Sequence, residues 1–281
     1  MSDKTSLKHL PSYKSLADAS YSACIYTVAG LALLILLGPV VIVLITSLTD
    51  GQTLRFPPTG LSLRWYQELF SARSTPIHRA AGNSLLVALV SALAAAVLGC
   101  MASLAIARSR RRGARVMDSL FMSPLILPGI AFGLAALVYF TMIGFRPSLA
   151  LITIGHIVMV TPFVLRTTSA SLAQLDGTLL ECSASLGATR WYSFRRITLP
   201  IIFPGLVAGG FMAFMASIDN VPVSLFLSSP RSDMLPIRLW GMMESTLDVR
   251  IAAVSGIFIV SVLVLMLVME RLVGLSRRLN D

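Results

Sequence analysis

The sequence predicts an all-α integral membrane protein with six transmembrane helices. Of its 281 residues, 56% are hydrophobic and only 13% are charged, whereas about a quarter of the residues in a soluble domain are charged. So few charged side chains cannot cover a water-exposed surface, which indicates that lipid covers much of the chain. Apolar runs of about 20 residues, the length that crosses a hydrocarbon core of ~30 Å, recur along the chain and are separated by polar segments.

Each of the six helices is predicted from one apolar run. The runs cover residues 24–47, 83–107, 117–143, 148–165, 200–222 and 251–270. The first is too long for the apolar core of a signal peptide and lacks a small-residue cleavage site, so it is predicted to be retained. The third contains Pro124, Pro128 and Gly129. These residues either kink the helix to shape a channel or serve only in packing, because neighbouring helices can satisfy the carbonyl groups that prolines free.

The polar segments complete the predicted organisation. Residues 1–23 form an N-terminal arm, residues 24–270 form the six-helix domain, and residues 271–281 form a short basic tail. Residues 223–250 are partly apolar, a stretch that can dip into the membrane without crossing it. The pair Trp65-Tyr66 suits an anchor at the membrane–water interface.

The positions of Lys and Arg predict the orientation, because these residues are enriched in cytoplasmic loops. With both termini inside, 15 of the 23 Lys and Arg residues are cytoplasmic. The short loop over residues 108–115 carries five arginines, and its translocation would be costly. The sequence therefore predicts cytoplasmic N- and C-termini. The enrichment of Lys and Arg in cytoplasmic segments also explains the net charge of +10 without a nucleic-acid partner.

The sequence offers no pattern for a cofactor, a metal or a catalytic residue. Cys24, Cys100 and Cys182 have neither a paired nor a metal-ligand spacing and are predicted to be reduced. The patterns of intramembrane metalloproteases and serine proteases do not occur. His156, in the fourth run, is a candidate proton relay or ligand, although a lone His in a membrane helix more often forms an interhelical hydrogen bond.

The polar segment before the fifth run contains the most informative pattern. Residues 178–204 read TLLECSASLGATRWYSFRRITLPIIFP. Thr178 and Glu181 match a capping box at a helix start, Gly187 supplies the left-handed residue that ends a helix, and a second helix is predicted from about Arg190. Physically, such a helical hairpin can rest on lipid headgroups, or it can dock on a soluble partner and be pushed by it.

This spacing resembles the EAA loop of binding-protein-dependent ABC importer permeases. Glu181 is followed six positions later by Gly187 and, after nine further residues, by the Ile-x-Leu-Pro pattern at 197–200. The family usually has two alanines where this chain has Cys182-Ser183, and both replacements are small. The resemblance implies the type I ABC importer permease fold, with a cytoplasmic coupling helix in a loop over residues 176–200.

The resemblance also implies the partners. The coupling contact with the ATPase would involve Glu181, Leu186, Gly187, Ala188 and Arg190. The chain contains no G-x-x-x-x-G-K-[ST] phosphate loop, so ATP hydrolysis is predicted to belong to a separate subunit. The implied assembly holds two cytoplasmic ATPase subunits, a second permease subunit that is a different chain, and a periplasmic substrate-binding protein, at the bacterial inner membrane.

Two further stretches, residues 56–66 and 215–255, resemble the spermidine/putrescine permease branch, and in particular the second of its two permease subunits. The implied solute is a small amine. Asp219, followed by Asn220 near the outer part of the fifth run, is a candidate waypoint for it, because a carboxylate in a membrane helix normally faces a cavity or a partner. The alternative is an interfacial Asp bonded to a helix end.

Other functions remain open at this point. The resembling subunits often carry two consecutive acidic residues where this chain has Asp219-Asn220, which leaves room for a monoamine, an amino-acid-like or an opine-like solute. A different class is an ion-coupled secondary carrier. Such carriers usually show internal repeats and several intramembrane charges, and this sequence shows no repeat and little charge beyond Asp219.

Overall fold

The computed structural model describes residues 13–109, 112–246 and 248–278, and these are almost entirely helical. The α-helices are α1 (Tyr13–Thr46), α2 (Arg64–Leu69), α3 (Thr75–Arg108), α4 (Arg112–Ile126), α5 (Gly129–Met142), α6 (Leu149–Leu172), α7 (Gly177–Ser185), α8 (Arg190–Ser193), α9 (Leu199–Ile218), α10 (Val221–Leu227), α11 (Leu235–Thr246) and α12 (Arg250–Arg278). A 3₁₀ turn over Ala72–Ser74 precedes α3, and a π-helical turn over Phe194–Thr198 joins α8 to α9.

In the described residues, five helical stretches are long and apolar enough to cross a membrane, and a bent pair of helices makes a sixth when the pair is counted as one span. The five are Ser20–Thr46, Ala72–Arg108, Leu149–Leu172, Arg190–Ile218 and Arg250–Arg271. The predicted all-helical, six-span architecture is therefore confirmed. Most stretches are longer than their apolar runs, because helices continue into the flanking polar residues.

The third predicted span differs from the prediction of a single helix over residues 117–143. The chain instead bends by 104° between Gly113–Ile126 and Gly129–Met142. Pro128 causes the break, because proline lacks an N–H donor and disfavours the helical conformation of the residue before it. Pro124 lies inside α4 without ending it. The close packing of α5 on α10 depends on Gly133, where a Cβ atom would lie 2.7 Å from the carbonyl oxygen of Pro222.

The centre of the bundle is formed by α3, α6 and α9. Small residues let these helices approach closely, as is common in membrane proteins. A Cβ atom at Gly99 of α3 would lie 2.8 Å from Cβ of Val164 on α6. The buried cluster between the three helices consists of Ala92, Ala95, Val160, Val164 and Ala213. A displacement of α9 therefore has to be accommodated by both of its neighbours.

The direction of these helices defines two ends of the bundle. We call the end where α3 and α6 terminate and α9 begins the hairpin end, and the opposite end the far end. At the far end, the Ser47 hydroxyl after α1 lies 2.7 Å from the Tyr66 hydroxyl, and Arg250 at the start of α12 contacts Ser74 before α3. Because α1 ends and α12 begins at the far end, the N-terminal part of α1 and the C-terminal part of α12 run towards the hairpin end.

The segments at the chain ends and at the far end refine the predicted organisation. The first helix begins at Tyr13 and α12 reaches Arg278, inside the predicted arm and tail. Residues 1–12, 110, 111, 247 and 279–281 lie outside the described residues. Within 223–250, α10 packs on α5 and α6, and Asn83 of α3 donates a hydrogen bond of 2.9 Å to the carbonyl of Asp233. Whether this stretch dips into a bilayer stays a prediction.

Candidate functional site: a helical hairpin at one end of the bundle

The hairpin begins at α7, and its N-cap differs from the predicted one. The Asp176 carboxylate, one residue before the helix, accepts a hydrogen bond of 2.9 Å from the backbone N–H of Thr178. Glu181 lies in the interior of α7, where its carbonyl accepts a bond from Ser185. The predicted capping box of Thr178 and Glu181 is therefore wrong, because Asp176 already satisfies the free amide. Hydrogen bonds from Thr178 hold the pKa of the Asp176 carboxyl below its usual value.

Gly187 ends α7 in a left-handed conformation, as the sequence predicts, and the turn around it is a Schellman motif. Gly187 has φ +79°, a left-handed conformation that glycine adopts without a steric penalty. The N–H of Ala188 bonds to the carbonyl of Ser183 at 3.1 Å, and the N–H of Gly187 bonds to that of Ala184 at 3.0 Å. These two bonds satisfy the last carbonyls of α7 and fix the direction in which the chain leaves it.

The second arm of the hairpin is continuous with a membrane-spanning helix. Thr189 caps it by accepting a bond of 3.2 Å from the N–H of Tyr192, so the helix starts at Arg190 as predicted. It then continues through the π-helical turn into α9 and forms one stretch, Arg190–Ile218. The predicted new start at Pro200 is absent: the π-helical turn over Phe194–Thr198 joins α8 to α9, and Pro200 lies inside the continuous stretch. A force on this arm therefore acts directly on α9.

A buried pair of hydroxyl groups joins the two arms. Ser183 of α7 and Ser193 of α8 lie with their Oγ atoms 2.7 Å apart, and Ser193 also donates to the carbonyl of Thr189 at 3.2 Å. Either hydroxyl can be the donor of the bond between the arms. The sequence indicated Ser183 only as a small replacement for alanine. Its hydroxyl group was the one local sign that this position forms a hydrogen bond.

The tip of the hairpin exposes apolar surface. The Leu186 side chain is 87% exposed, and together with Gly187, Ala188 and Tyr192 it borders an open groove of about 770 Å³. Among the predicted coupling residues, the structure thus brings Leu186, Gly187 and Ala188 together. Glu181 is exposed on α7 outside this groove, and Arg190 borders a different cavity beneath the hairpin.

The candidate solute residues lie towards the far end. Asp219 is exposed in the break between α9 and α10, and its carboxylate has no hydrogen-bond or ion-pair partner within residues 13–109, 112–246 and 248–278. The Asn220 side chain is already engaged, because its Oδ1 accepts a bond of 3.1 Å from the N–H of Val223 and caps α10. Among the described residues, the Asp219 carboxylate thus lacks a partner, whereas Oδ1 of Asn220 has one.

His156 of α6 is fully buried and makes two hydrogen bonds. Its Nδ1 lies 2.8 Å from the hydroxyl of Ser217 on α9, and its Nε2 lies 3.1 Å from the hydroxyl of Ser224 on α10. The interhelical hydrogen bond that the sequence favoured is therefore confirmed. Since both ring nitrogens are occupied, this histidine connects the two sides of the α9–α10 break to α6.

Comparison with known proteins relates this arrangement to transport systems. Residues 95–278 match the family described as "Binding-protein-dependent transport system inner membrane component". The spermidine/putrescine transport system permease protein PotC of Escherichia coli (strain K12) is 28% identical over 229 residues, which cover 82% of this chain and 86% of the relative. The putrescine transport system permease protein PotI of the same strain is 32% identical over 207 residues, or 71% and 73% of the two chains.

A solved structure shares the fold. A chain of the bacterial alginate ABC transporter, determined in complex with an alginate pentasaccharide-bound periplasmic protein, aligns with a TM-score of 0.71 at 18% sequence identity. The alignment covers 97% of this chain and 99% of that chain, so the likeness extends over all of the spans.

Proposed function

The chain belongs to the family of inner membrane components of binding-protein-dependent transport systems and is a permease subunit of an ABC importer; from this premise we propose that its 176–200 loop is the element through which a separate ATPase moves the spans. The single observation that carries the proposal is the helical hairpin whose second arm is continuous with α9. A hairpin on a flexible linker could dock on a partner, but it could not transmit a displacement into the bundle.

The contact surface we propose is the tip of the hairpin. Leu186 is the most exposed apolar side chain there, and it would enter an apolar groove on the ATPase, with Gly187 and Ala188 allowing close approach. Glu181 would make a polar contact at the rim, whereas Arg190 borders the cavity beneath the hairpin. ATP binding can change the spans only if the two conformations differ in their contact energy with the ATPase, and a stiff hairpin makes that difference act on α9.

The orientation and the assembly follow from this role. We propose that the hairpin end is cytoplasmic, together with both termini and the arginine loop over residues 108–115, which agrees with the direction of α1, α3 and α12. The six spans would form half of the pathway, and a second permease subunit of different sequence would form the other half. Two ATPase subunits would contact the hairpins, and a periplasmic binding protein would deliver the solute to the far end.

The solute we propose is a small amine of the polyamine type. The relatives named for spermidine and putrescine support it, and so does the exposed carboxylate of Asp219, which has no partner in the described part of the chain. A cation can pair with that carboxylate while it passes the α9–α10 break. The single acid at this point also suits a monoamine or an amino-acid-like zwitterion, so the panel of test solutes has to include one.

Uptake into vesicles that contain the reconstituted complex tests this function. Labelled putrescine, spermidine and γ-aminobutyrate are supplied outside with the binding protein, and ATP is supplied at the face that carries the ATPase subunits. We expect at least one amine to accumulate, to require both ATP and the binding protein, and to keep accumulating when an ionophore collapses the ion gradients. Accumulation of none of the amines would contradict the solute class, and uptake driven by an ion gradient without ATP would indicate a secondary carrier.

A further inference from the structure

Two small cavities lie between the hairpin and the end of α3. One has a volume of about 270 Å³ and the other about 180 Å³, and they share Arg108, Leu180 and Thr198 as lining residues. They are adjacent and separate the hairpin from the bundle. Each is smaller than a typical small-molecule site, so they suit one part of an amphipathic molecule rather than a whole solute.

A buried hydroxyl without a partner lines both cavities. Thr198 is only 2% exposed, and its Oγ1 has no hydrogen-bond partner among the residues that the structure describes. Leaving a buried hydroxyl unpaired costs about 1–3 kcal/mol, and such groups normally have a partner. The position of Thr198 at both cavities indicates that a polar ligand supplies it.

The charge around Thr198 identifies the sign of that ligand. Arg108 and Arg190 border the larger cavity with it, and neither guanidinium forms an ion pair with any carboxylate in the described part of the chain. The adjoining residues 110 and 111 are also arginines. Two unpaired guanidinium groups and a hydroxyl donor match the oxygens of a phosphate group, which arginine can bind with two parallel hydrogen bonds.

The smaller cavity identifies the rest of the ligand. Apart from Arg108 and Thr198 its side chains are apolar, namely Leu104, Ala107, Leu172, Leu175 and Leu180. Arg108 ends α3 directly after an apolar span, which is the depth at which a bilayer presents its headgroups. Basic pockets between membrane helices at this depth bind anionic headgroups.

We infer that an anionic phospholipid binds beneath the hairpin, with its phosphate held by Arg108, Arg190 and Thr198 and the start of an acyl chain against the leucines. The bound lipid fills the space between the hairpin and α3 and so restrains the hairpin against the bundle. Arg190, which the resemblance places at the coupling contact, borders this cavity and not the groove at the hairpin tip. The inference depends on the membrane placement of the chain and not on which solute is carried.

Lipid binding to the purified, delipidated complex can be measured by native mass spectrometry during titration with phosphatidylglycerol. We expect saturable binding, a preference over phosphatidylcholine with the same acyl chains, and no displacement by an equal concentration of inorganic phosphate. Arg108→Gln and Thr198→Val should each weaken the apparent affinity, the first by on the order of tenfold, the factor for one lost charge-assisted hydrogen bond. Arg195→Gln is the matched control, since Arg195 is an exposed arginine of the same segment that borders neither cavity.

Thermal unfolding distinguishes loss of the lipid from loss of the fold. Without lipid, Thr198→Val should unfold at the same temperature as the parent or higher, because it removes an unpartnered hydroxyl at nearly constant volume. With phosphatidylglycerol, the parent and Arg195→Gln should be stabilised, and Arg108→Gln and Thr198→Val should be stabilised less. Equal lipid binding by all four proteins, an equal loss in Arg195→Gln, or displacement of the lipid by inorganic phosphate would each overturn the assignment.

Discussion

The hydroxyl groups of Ser183 and Ser193 share a hydrogen bond of 2.7 Å, which joins the two arms of the hairpin at the level where both side chains are buried. The first arm leads to the exposed tip, and the second is continuous with α9. This bond is the side-chain link between the surface that we propose the ATPase contacts and the helix that has to move.

Removing the hydroxyl of Ser183 or Ser193 should weaken the coupling between the hairpin tip and α9 without unfolding the protein. We expect Ser183→Ala and Ser193→Ala to raise the number of ATP molecules hydrolysed per solute transported, with a stability loss of only about 1 kcal/mol. The double variant should behave like either single variant, because all three lack the same bond. Coupled measurements of ATP hydrolysis and uptake in vesicles check this.

Ser185→Ala is the matched control for that experiment. Ser185 lies on the same short helix, but its hydroxyl bonds only to the carbonyl of Glu181 within α7. Its removal should leave the ratio of ATP to solute unchanged. An unchanged ratio in Ser183→Ala as well would show that the bond between the arms has no part in coupling, and additive effects in the double variant would show that the two serines act separately.

Because Asp176 caps α7, its substitution should destabilise the start of that helix. Asp176→Ala removes the acceptor for the N–H of Thr178 and should destabilise the first turn of α7, whereas Asp176→Ser should retain most of the stability of that turn. Hydrogen exchange of the amides in residues 177–185 measures this directly. Faster exchange in Glu181→Ala than in Asp176→Ala would instead support the capping box that the sequence suggested.

The sequence sufficed for the six spans and for Gly187 because apolar runs and a left-handed C-cap glycine are local signals. It placed the N-cap of α7 two residues late, because Asp176 and Thr178 are both good caps and only the path of the chain decides between them. The break at Pro128 was ambiguous for a related reason, since Pro124 lies inside a helix nearby. The bond between Ser183 and Ser193, and the cavity lined by Arg108 and Thr198, depend on how α7 packs on its neighbours, which no local pattern encodes.

The α9–α10 break predicts a change in solute preference. Asn220→Asp should keep the cap on α10, because aspartate accepts the N–H of Val223 as well as asparagine does, while it adds a second carboxylate beside Asp219. We expect uptake of spermidine to improve relative to that of γ-aminobutyrate, measured as the ratio of kcat/KM for the two solutes. Asp219→Asn should change this ratio in the opposite direction, by about fivefold for about 1 kcal/mol of lost ion pairing.

Thermal unfolding of the Asn220→Asp and Asp219→Asn variants separates an effect on the solute pathway from an effect on the fold. Both variants should unfold near the temperature of the parent, since Asp219 is exposed and the cap is retained. An unchanged solute ratio in two folded variants would mean that the carboxylate lies outside the pathway, as an interfacial group at a helix end.

The two left-handed glycines of the described structure provide the most direct test of the central claim that the hairpin transmits ATP-driven movement. Gly187 in the hairpin and Gly144 in the far-end turn have φ values of +79° and +86°, and a Cβ atom at either would meet no described heavy atom within 4 Å. Gly187→Ala and Gly144→Ala should therefore each cost roughly 1–2 kcal/mol of backbone strain. The measurement is solute-stimulated ATP hydrolysis by the reconstituted complex. We predict that stimulation is largely lost in Gly187→Ala and retained in Gly144→Ala, whereas equal stimulation in the two variants would contradict the account.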